Sequence, residues 1–116
     1  MEGQAQVFGV KRSADTRKAL RFFAERRIVT HFVDFAVRGP SVGELRRFAQ
    51  KFGVAALVDR TSPHFGELGL RAAELSEDRW LARLAAEPLM LRMPLVRYGN
   101  GLSIGADEAQ WRAWLG

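Results

Sequence analysis

Residues 6–35, QVFGVKRSADTRKALRFFAERRIVTHFVDF, contain the pattern that decides the fold of this 116-residue chain. Gln6–Val10 is a short apolar run that ends at charged residues, which is typical of a buried strand. Ser13 or Asp15 can cap the helix that is expected to follow. Val29–Phe35 mixes β-branched and aromatic residues and predicts a second strand. A strand, a helix and a strand over about thirty residues form a βαβ unit, so the two strands are expected to run parallel.

Two further helices are predicted in the middle of the chain. Ser41-Val42-Gly43-Glu44 has the spacing of a capping box, and an apolar stripe follows it as far as Gly53. Ser76-Glu77-Asp78 begins the next helix, which is expected to end at Pro88. The inward positions that spacing predicts for the three helices are Leu20, Phe23 and Ala24, then Leu45, Phe48, Ala49 and Phe52, then Trp80, Leu81 and Leu84.

A hairpin and a final helix are predicted at the C-terminal end. Gly99–Asn100 is a turn signal between two short segments, Pro94–Tyr98 and Gly101–Ile104. The last helix begins at Asp107 or Glu108. Its large apolar side chains form one stripe, which is expected to pack on the sheet rather than serve as an exposed stacking surface: Trp111, Trp114 and Leu115.

The order of these elements predicts the fold. A β-α-β unit, a helical segment and a β-β-α unit, taken in sequence, have the order of the thioredoxin fold with an insertion between its two halves. We therefore expect an α/β protein with a thioredoxin-like fold. Its length favours one domain over residues 1–116, with the helical insertion at about residues 41–88.

The composition excludes several classes of function. The sequence has no cysteine, so it forms no disulfide, thiolate metal site or thiolate nucleophile. Its two histidines, His31 and His64, lack metal-binding spacing, and no metal site is predicted. No apolar run approaches the roughly 18 to 20 residues of a membrane-spanning helix, and the N-terminus does not resemble a secretory signal. These features predict a soluble cytoplasmic protein that does not bind a membrane.

The net charge of +5 is concentrated in the predicted first helix and the loop before it. Between Lys11 and Arg27 there are seven basic and two acidic residues, so the rest of the chain is neutral. Several of these cations lie near a helix N-terminus, where the helix dipole favours anions. An anion-binding role and a solvated helix face both remain open. Nucleic acid is disfavoured as a partner, because the cluster is short and has no exposed aromatic residue within it.

Four motifs, in order and at matching spacings, resemble the arsenate reductase (ArsC)/Spx family. Val7–Ala19 is similar to the family's strand, loop and helix, which reads like Tyr-Gly-Ile-Lys-Asn-Cys-Asp-Thr. Pro40-Ser41-x-x-Glu44-Leu45 resembles the start of its second helix. Phe65-x-Glu67-Leu68-Gly69-Leu70 resembles a family loop, and Glu87–Val96 resembles its His-Pro-x-Leu-x-x-Arg-Pro segment. The resemblance extends over nearly the whole chain and implies the same fold.

The resemblance places Ser13 at the position of the family's reactive cysteine. Thr16 occupies the second position of the Cys-x-x-Cys pair that some members have. Attack on arsenic needs a thiolate, and a serine hydroxyl without an adjacent base is too weak to replace it. Ser13 is therefore a degenerate nucleophile position, and no catalytic residue is predicted. Two roles stay open for its hydroxyl group, namely holding the thiolate of a bound glutathione and capping the helix.

The arginines that hold the oxyanion in the reductases are also displaced. Met93 stands where the family has the arginine before Pro94, and Arg92 precedes it by one residue. The loop arginine of the reductases aligns near Asp59, next to Arg60. The resemblance also implies a cis Met93–Pro94 bond. The candidate anion-binding or ligand-binding residues are Lys11, Arg12, Ser13, Thr16, Arg17, Met93 and Pro94, with Arg60 and Arg92 as further candidates.

Two functions follow from the resemblance and its departures. The first is a non-catalytic binding or regulatory module, and the Spx branch implies RNA polymerase as the type of protein partner. The alternative is an enzyme or carrier that binds glutathione or another small anionic thiol, so that the ligand supplies the sulfur. No cofactor is predicted beyond glutathione as such a ligand.

Overall fold

The computed structural model describes residues 3–63, 65 and 75–116. His64 and most of the motif that begins at Phe65 lie outside the described residues. The elements of the described part are β1 (Ala5–Gly9), α1 (Ala14–Glu25), β2 (Thr30–Asp34), α2 (Val42–Phe52), α3 (Glu77–Ala86), β3 (Leu95–Tyr98), β4 (Gly101–Ile104) and α4 (Glu108–Trp114), with short 3-10 helices at Val54–Leu57 and Pro88–Met90.

The chain divides into two compact units. One consists of Met1–Arg38 and Met93–Gly116, and the other of Gly39–Arg92. The helical insertion expected at about residues 41–88 lies within the second unit. None of the helices in the described ranges combines the length and the apolar character needed to cross a membrane. The cytoplasmic location stays a prediction.

The four strands form one sheet in the order β2-β1-β3-β4. β1 and β2 are parallel, as the βαβ pattern predicts, while β1–β3 and β3–β4 are antiparallel. Val7 lies opposite Phe32 on one side and Val96 on the other. Gly99 makes the β3–β4 turn with a φ of 59°, a value that suits glycine. The predicted thioredoxin-like α/β order is confirmed.

One face of the sheet packs against α1 and α4. Ala5, Val7 and Val96 from the sheet meet Phe23 and Trp111 from the helices in a buried cluster. The indole Nε1 of Trp111 donates a hydrogen bond to Ser103 Oγ at 2.9 Å, so this buried polar group has a partner. Trp114 and Leu115 pack against the same cluster, which confirms that the stripe on the last helix faces the sheet.

The inward face of α1 differs in part from the predicted one. The buried residues are Thr16, Ala19, Phe22 and Phe23, whereas Leu20 is half-buried and Ala24 is exposed. The prediction for Ala24 was wrong, because the stripe is centred about one position earlier on the helix. Phe22 takes the place in the core that Ala24 was expected to have, and the rings of Phe22 and Phe23 meet edge to face at 5.1 Å.

The second unit begins with the predicted capping box. Ser41 Oγ accepts from the Glu44 N–H at 3.0 Å, and Glu44 Oε1 accepts from the Ser41 N–H at 2.8 Å. α2 packs against α3, and the inward residues Leu45, Phe48, Ala49, Leu81 and Leu84 are buried. Two expected inward residues are less buried. Trp80 is half-buried, and Phe52, at the end of α2, is 37% exposed.

We expect Ser103→Ala to lower the free energy of unfolding by about 1–3 kcal/mol, because it leaves the buried indole N–H of Trp111 without an acceptor. In a Trp111→Phe background, which has no such N–H, the same substitution is expected to cost much less. Urea unfolding of the four proteins measures both values. Equal costs in the two backgrounds would contradict this role for the hydrogen bond.

Candidate functional site

The candidate site is the loop that connects β1 to α1. Its turn is closed by the Ser13 N–H, which donates to the Val10 carbonyl at 3.1 Å. Phe8 lies opposite Leu95 in the antiparallel β1–β3 pair, so the preceding residues of that segment, Met93 and Pro94, lie beside the end of β1 where the loop begins. The Met93–Pro94 bond is cis, as predicted. Pro94 is buried and its carbonyl accepts from the Gly105 N–H at 2.8 Å.

Ser13 is the N-cap of α1. Its backbone is extended, with φ −74° and ψ 121°, and its Oγ accepts from the Thr16 N–H at 3.2 Å. The Ser13 carbonyl accepts from the Arg17 N–H and starts the helical hydrogen bonds. The N–H groups of Ala14 and Asp15 find no acceptor among the described residues, as is usual for a first turn. These two donors lie at the positive end of the helix dipole.

Arg17 holds the loop from the helix side. Its Nη1 donates to the Lys11 carbonyl at 2.7 Å, which fixes the guanidinium against the turn. Lys11, Arg12 and Arg17 are all exposed, and none of the three forms an ion pair with a residue in the described ranges. The loop and the first turn of α1 together therefore present three cationic side chains to solvent.

Lys18, the next basic residue on α1, is balanced by α4. Its Nζ lies 3.6 Å from Glu108 Oε1, and Glu108 also accepts a hydrogen bond from Arg112. The hydrogen bond from Arg112, more than any other contact, lowers the pKa of Glu108 below its ordinary value, and the charges of Arg112 and Lys18 act in the same direction. The positive charge of Lys18 is thus directed at α4, which separates it from Lys11, Arg12 and Arg17.

Thr16 lies beneath the first turn. Its side chain is fully buried, and Oγ1 has no hydrogen-bond partner among the described residues. A Cβ atom placed on Gly9 would lie 2.4 Å from this oxygen, so the hydroxyl group is packed against the end of β1. Ser13 is half-buried and Thr16 is covered, so of the two hydroxyl groups only that of Ser13 reaches the surface of the loop.

Arg60 and Arg92 belong to the second unit and are exposed. The Arg60 guanidinium carbon lies 5.5 Å from the ring centre of Phe65. Arg92 donates from its backbone N–H to the Leu57 carbonyl and, at 3.5 Å, from Nη1 to the Ala56 carbonyl. Both arginines therefore have contacts within their own unit.

The loop and the first turn of α1 offer groups that suit an anion, but they contain no strong nucleophile. The chain has no thiol, and Ser13 Oγ is hydrogen bonded to a backbone N–H with no histidine or carboxylate of the described part as a base. Within the described ranges, no group of three or more histidine, aspartate or glutamate side chains could hold a metal ion. Amide donors, one hydroxyl group and three cations suit an anion.

Sequence reasoning missed two contacts of this site. The hydrogen bond from Arg17 to the Lys11 carbonyl depends on how the loop turns back toward the helix, which no spacing rule predicts. The pairing of Lys18 with Glu108 joins residues 90 positions apart. The opposite charges were visible in the sequence, but their proximity follows only from α1 and α4 packing on the same face of the sheet.

Comparisons with known proteins agree with the fold described above. The family model described as "ArsC family" matches residues 8–114. An uncharacterized protein of Haemophilus influenzae is 26% identical over 108 residues, covering 92% of this chain and 95% of the relative. Among solved structures, the YFFB protein has a TM-score of 0.87 at 23% identity and covers 97% of this chain and 100% of its own. An arsenate reductase from Vibrio cholerae has a TM-score of 0.82 at 23% identity, with 95% and 96% covered. At these identities the structural likeness concerns the fold.

We expect Thr16→Val to raise the free energy of unfolding by about 1 kcal/mol, because it removes a buried hydroxyl group that lacks a partner and keeps the shape of the side chain. Thr30→Val is the matched control, since the Thr30 hydroxyl group donates to the Ile28 carbonyl at 3.1 Å and its removal should bring no such gain. Urea unfolding compares the two. A loss of stability in Thr16→Val would mean that the hydroxyl group has a partner.

Proposed function

The chain belongs to the ArsC family, and we propose that it is a member without reductase chemistry, which acts as a non-catalytic binding or regulatory module with an anion site at the N-terminus of α1. The observation that carries this proposal is Ser13. It stands at the nucleophile position of the family and serves as the N-cap of α1 in a chain that has no cysteine. The position has a structural role that needs no thiol.

Two features support the loss of reductase chemistry. A reductase of this kind needs a thiolate that attacks arsenic, and the hydroxyl group of Ser13 has no base to activate it. It also needs fixed guanidinium groups around the oxyanion. Met93 stands where the family has one of these arginines, and Arg92 is hydrogen bonded to carbonyl groups of its own unit.

Three sets of groups at one place support the proposed anion site. The N–H groups of Ala14 and Asp15 point out of the first turn at the positive end of the helix. The Ser13 hydroxyl group, which accepts from Thr16, still has its own proton to donate. Lys11, Arg12 and Arg17 add charge where the dipole disfavours cations, by about 0.3–1 kcal/mol each, and a bound anion offsets that cost.

A protein partner is the form of this function that the family resemblance favours, with RNA polymerase as the type implied by the Spx branch. Such a partner would present a carboxylate or phosphate group to the loop from Lys11 to Arg17. The alternative function, binding of glutathione as the source of sulfur, uses the same donors because glutathione carries two carboxylates. The two functions therefore differ in the ligand that binds most tightly.

We expect the purified protein to have no arsenate reductase activity with glutathione and glutaredoxin. Ser13→Cys alone is also expected to leave arsenate turnover at background, since the substitution restores the thiol without the displaced arginines. A coupled NADPH assay measures both proteins, with an active arsenate reductase as the positive control. Turnover by the unaltered chain that Ser13→Ala abolishes would overturn the non-catalytic proposal.

We expect sulfate or phosphate to stabilise the protein more than chloride at equal ionic strength. The gain should approach about 2.7 kcal/mol at 100 times the dissociation constant. Arg12→Glu should remove most of this gain. Arg21→Glu is the control, because Arg21 is an exposed residue two turns further along the same helix.

Thermal melts with each salt measure the effect. Equal losses in Arg12→Glu and Arg21→Glu would mean that only diffuse charge acts, and the anion site would be rejected. Stabilisation by glutathione that clearly exceeds that by sulfate at equal concentration would favour the glutathione-binding alternative. Arg26 is unsuitable as a control, since its guanidinium packs 3.7 Å above the Phe22 ring.

A further inference from the structure

A trough of about 930 Å³ lies in the first unit, across strands β1, β2 and β3. Its lining includes Gln4, Gln6, His31, Val37 and Arg97. The volume is within the range of roughly 300–1,000 Å³ that is usual for small-molecule sites. The trough is open to solvent.

The trough lies on the face of the sheet that is turned away from α1 and α4. Ala5 and Val7 pack against those helices, and side chains alternate along a strand, so Gln6 projects from the other face. Gln6 lies opposite His31 of β2 and opposite Arg97 of β3. The three side chains therefore form one polar row across the sheet, in which the Cβ atoms of neighbouring residues are roughly 5 Å apart.

The polar groups of this row are held in place. Arg97 Nε donates to the Gly99 carbonyl at 3.1 Å, which orients the guanidinium and leaves both Nη groups without an acceptor in the described part of the chain. His31 Nε2 lies 3.0 Å from Gln4 Oε1, so the imidazole ring is also positioned. A planar guanidinium fixed through one nitrogen can offer its remaining N–H groups to an oxyanion at low entropic cost.

The charges that line the trough favour an anion. Arg38 and Arg97 are cationic, and the one carboxylate in the lining is that of Asp34. Asp34 Oδ1 already accepts from the Ala36 N–H at 2.9 Å. The acid is thus engaged by the turn that follows β2. In the row around Gln6, the Arg97 guanidinium and the Gln6 amide have N–H groups that can donate to an anion, and His31 adds another in its imidazolium form.

Apolar side chains complete the lining. Val33 follows His31 on the same face of β2 and is buried except for a small fraction, so it forms part of the floor. Val37 is 82% exposed, the largest value among the exposed large hydrophobic residues of the described part. An apolar body that lies against Val33 and Val37 would remove this surface from water while its charged end meets Arg97.

We propose that this trough binds a small organic anion, in which a carboxylate or phosphate group on an apolar body is held by Arg97, His31 and Gln6. The site is separate from the Ser13 loop. That loop follows the end of β1, whereas Gln4 and Gln6 lie at its beginning, on the face away from α1. The proposal goes beyond the anion site of α1 and does not depend on it.

The test uses phenyl phosphate and benzoate as probes, with benzyl alcohol as the neutral probe of similar shape. Backbone amide shifts in ¹⁵N-labelled protein are followed during titration at low ionic strength. We expect saturable shifts at Gln6, His31 and Arg97 for the two anions, with dissociation constants on the order of millimolar. The tighter of the two anions indicates whether the natural ligand carries a carboxylate or a phosphate group.

Arg97→Gln is expected to weaken binding at least about tenfold, because a charged pair of donors is lost. Arg97→Lys keeps the charge without the planar donors and should give an intermediate loss. His31→Ala changes an exposed position and is a second test of the site in case the Arg97 variants fold poorly. It too should weaken binding. The control Arg21→Gln, on the solvent side of α1, should leave the dissociation constant unchanged.

Three results would overturn the proposal: benzyl alcohol binding as tightly as the anions, no saturable shift in the row around Gln6, or unchanged affinity in both Arg97→Gln and His31→Ala. The amides of Ala14 and Asp15 report on the Ser13 loop in the same spectra. Shifts confined to those two amides would support the anion site of α1 and reject the trough, so the same spectra test the two proposals independently.

Discussion

The close approach of α1 to the end of β1 is the constraint on which the rest of the site depends. Gly9 has no side chain, and Thr16 occupies the space that a Cβ atom there would need. With the first turn of the helix fixed at this point, the four residues from Val10 to Ser13 must turn sharply, and the hydrogen bond between those two residues closes that turn. The direction of the first-turn N–H groups and the place of the cations in the loop both follow from this contact.

Much of the fold could be predicted from local pattern. The βαβ unit, the capping box at Ser41 and the hairpin at Gly99 depend on neighbouring residues, so the sequence specifies them directly. The predictions of buried residues were wrong where tertiary packing decides which face of a helix is covered. Ala24 was placed inward because helical spacing allows a range of stripe positions, and the aromatic pair Phe22–Phe23 settles which one is buried. Phe52 satisfies the spacing of α2 but lies at the last residue of the helix, where its ring is partly exposed.

The sites were harder to predict than the elements. Gln6, His31 and Arg97 are each one polar residue in a short strand, and nothing in the sequence aligns them until the register of three strands is known. The family resemblance suggested a site position for Thr16, yet its hydroxyl group is covered by the packing that holds the helix in place. The N-cap of α1, by contrast, could be narrowed from the sequence to Ser13 or Asp15, because an N-cap needs only a short polar side chain and the free amides of the residues that follow. The structure shows that the cap is Ser13.

The serine at the start of α1 changes the electrostatics of the loop as well as its reactivity. A cysteine at a helix N-terminus surrounded by cations readily ionises, and the resulting thiolate would fill the positive end of the helix with a charge of the protein's own. The serine hydroxyl group stays neutral throughout the physiological pH range. The backbone N–H groups of Ala14 and Asp15 and the side chains of Lys11, Arg12 and Arg17 therefore keep their positive field for an incoming group. Oxidants that convert a thiol to a sulfenic acid or a disulfide have no target in this loop. Ligand binding at the proposed anion site would therefore be independent of the redox poise of its surroundings.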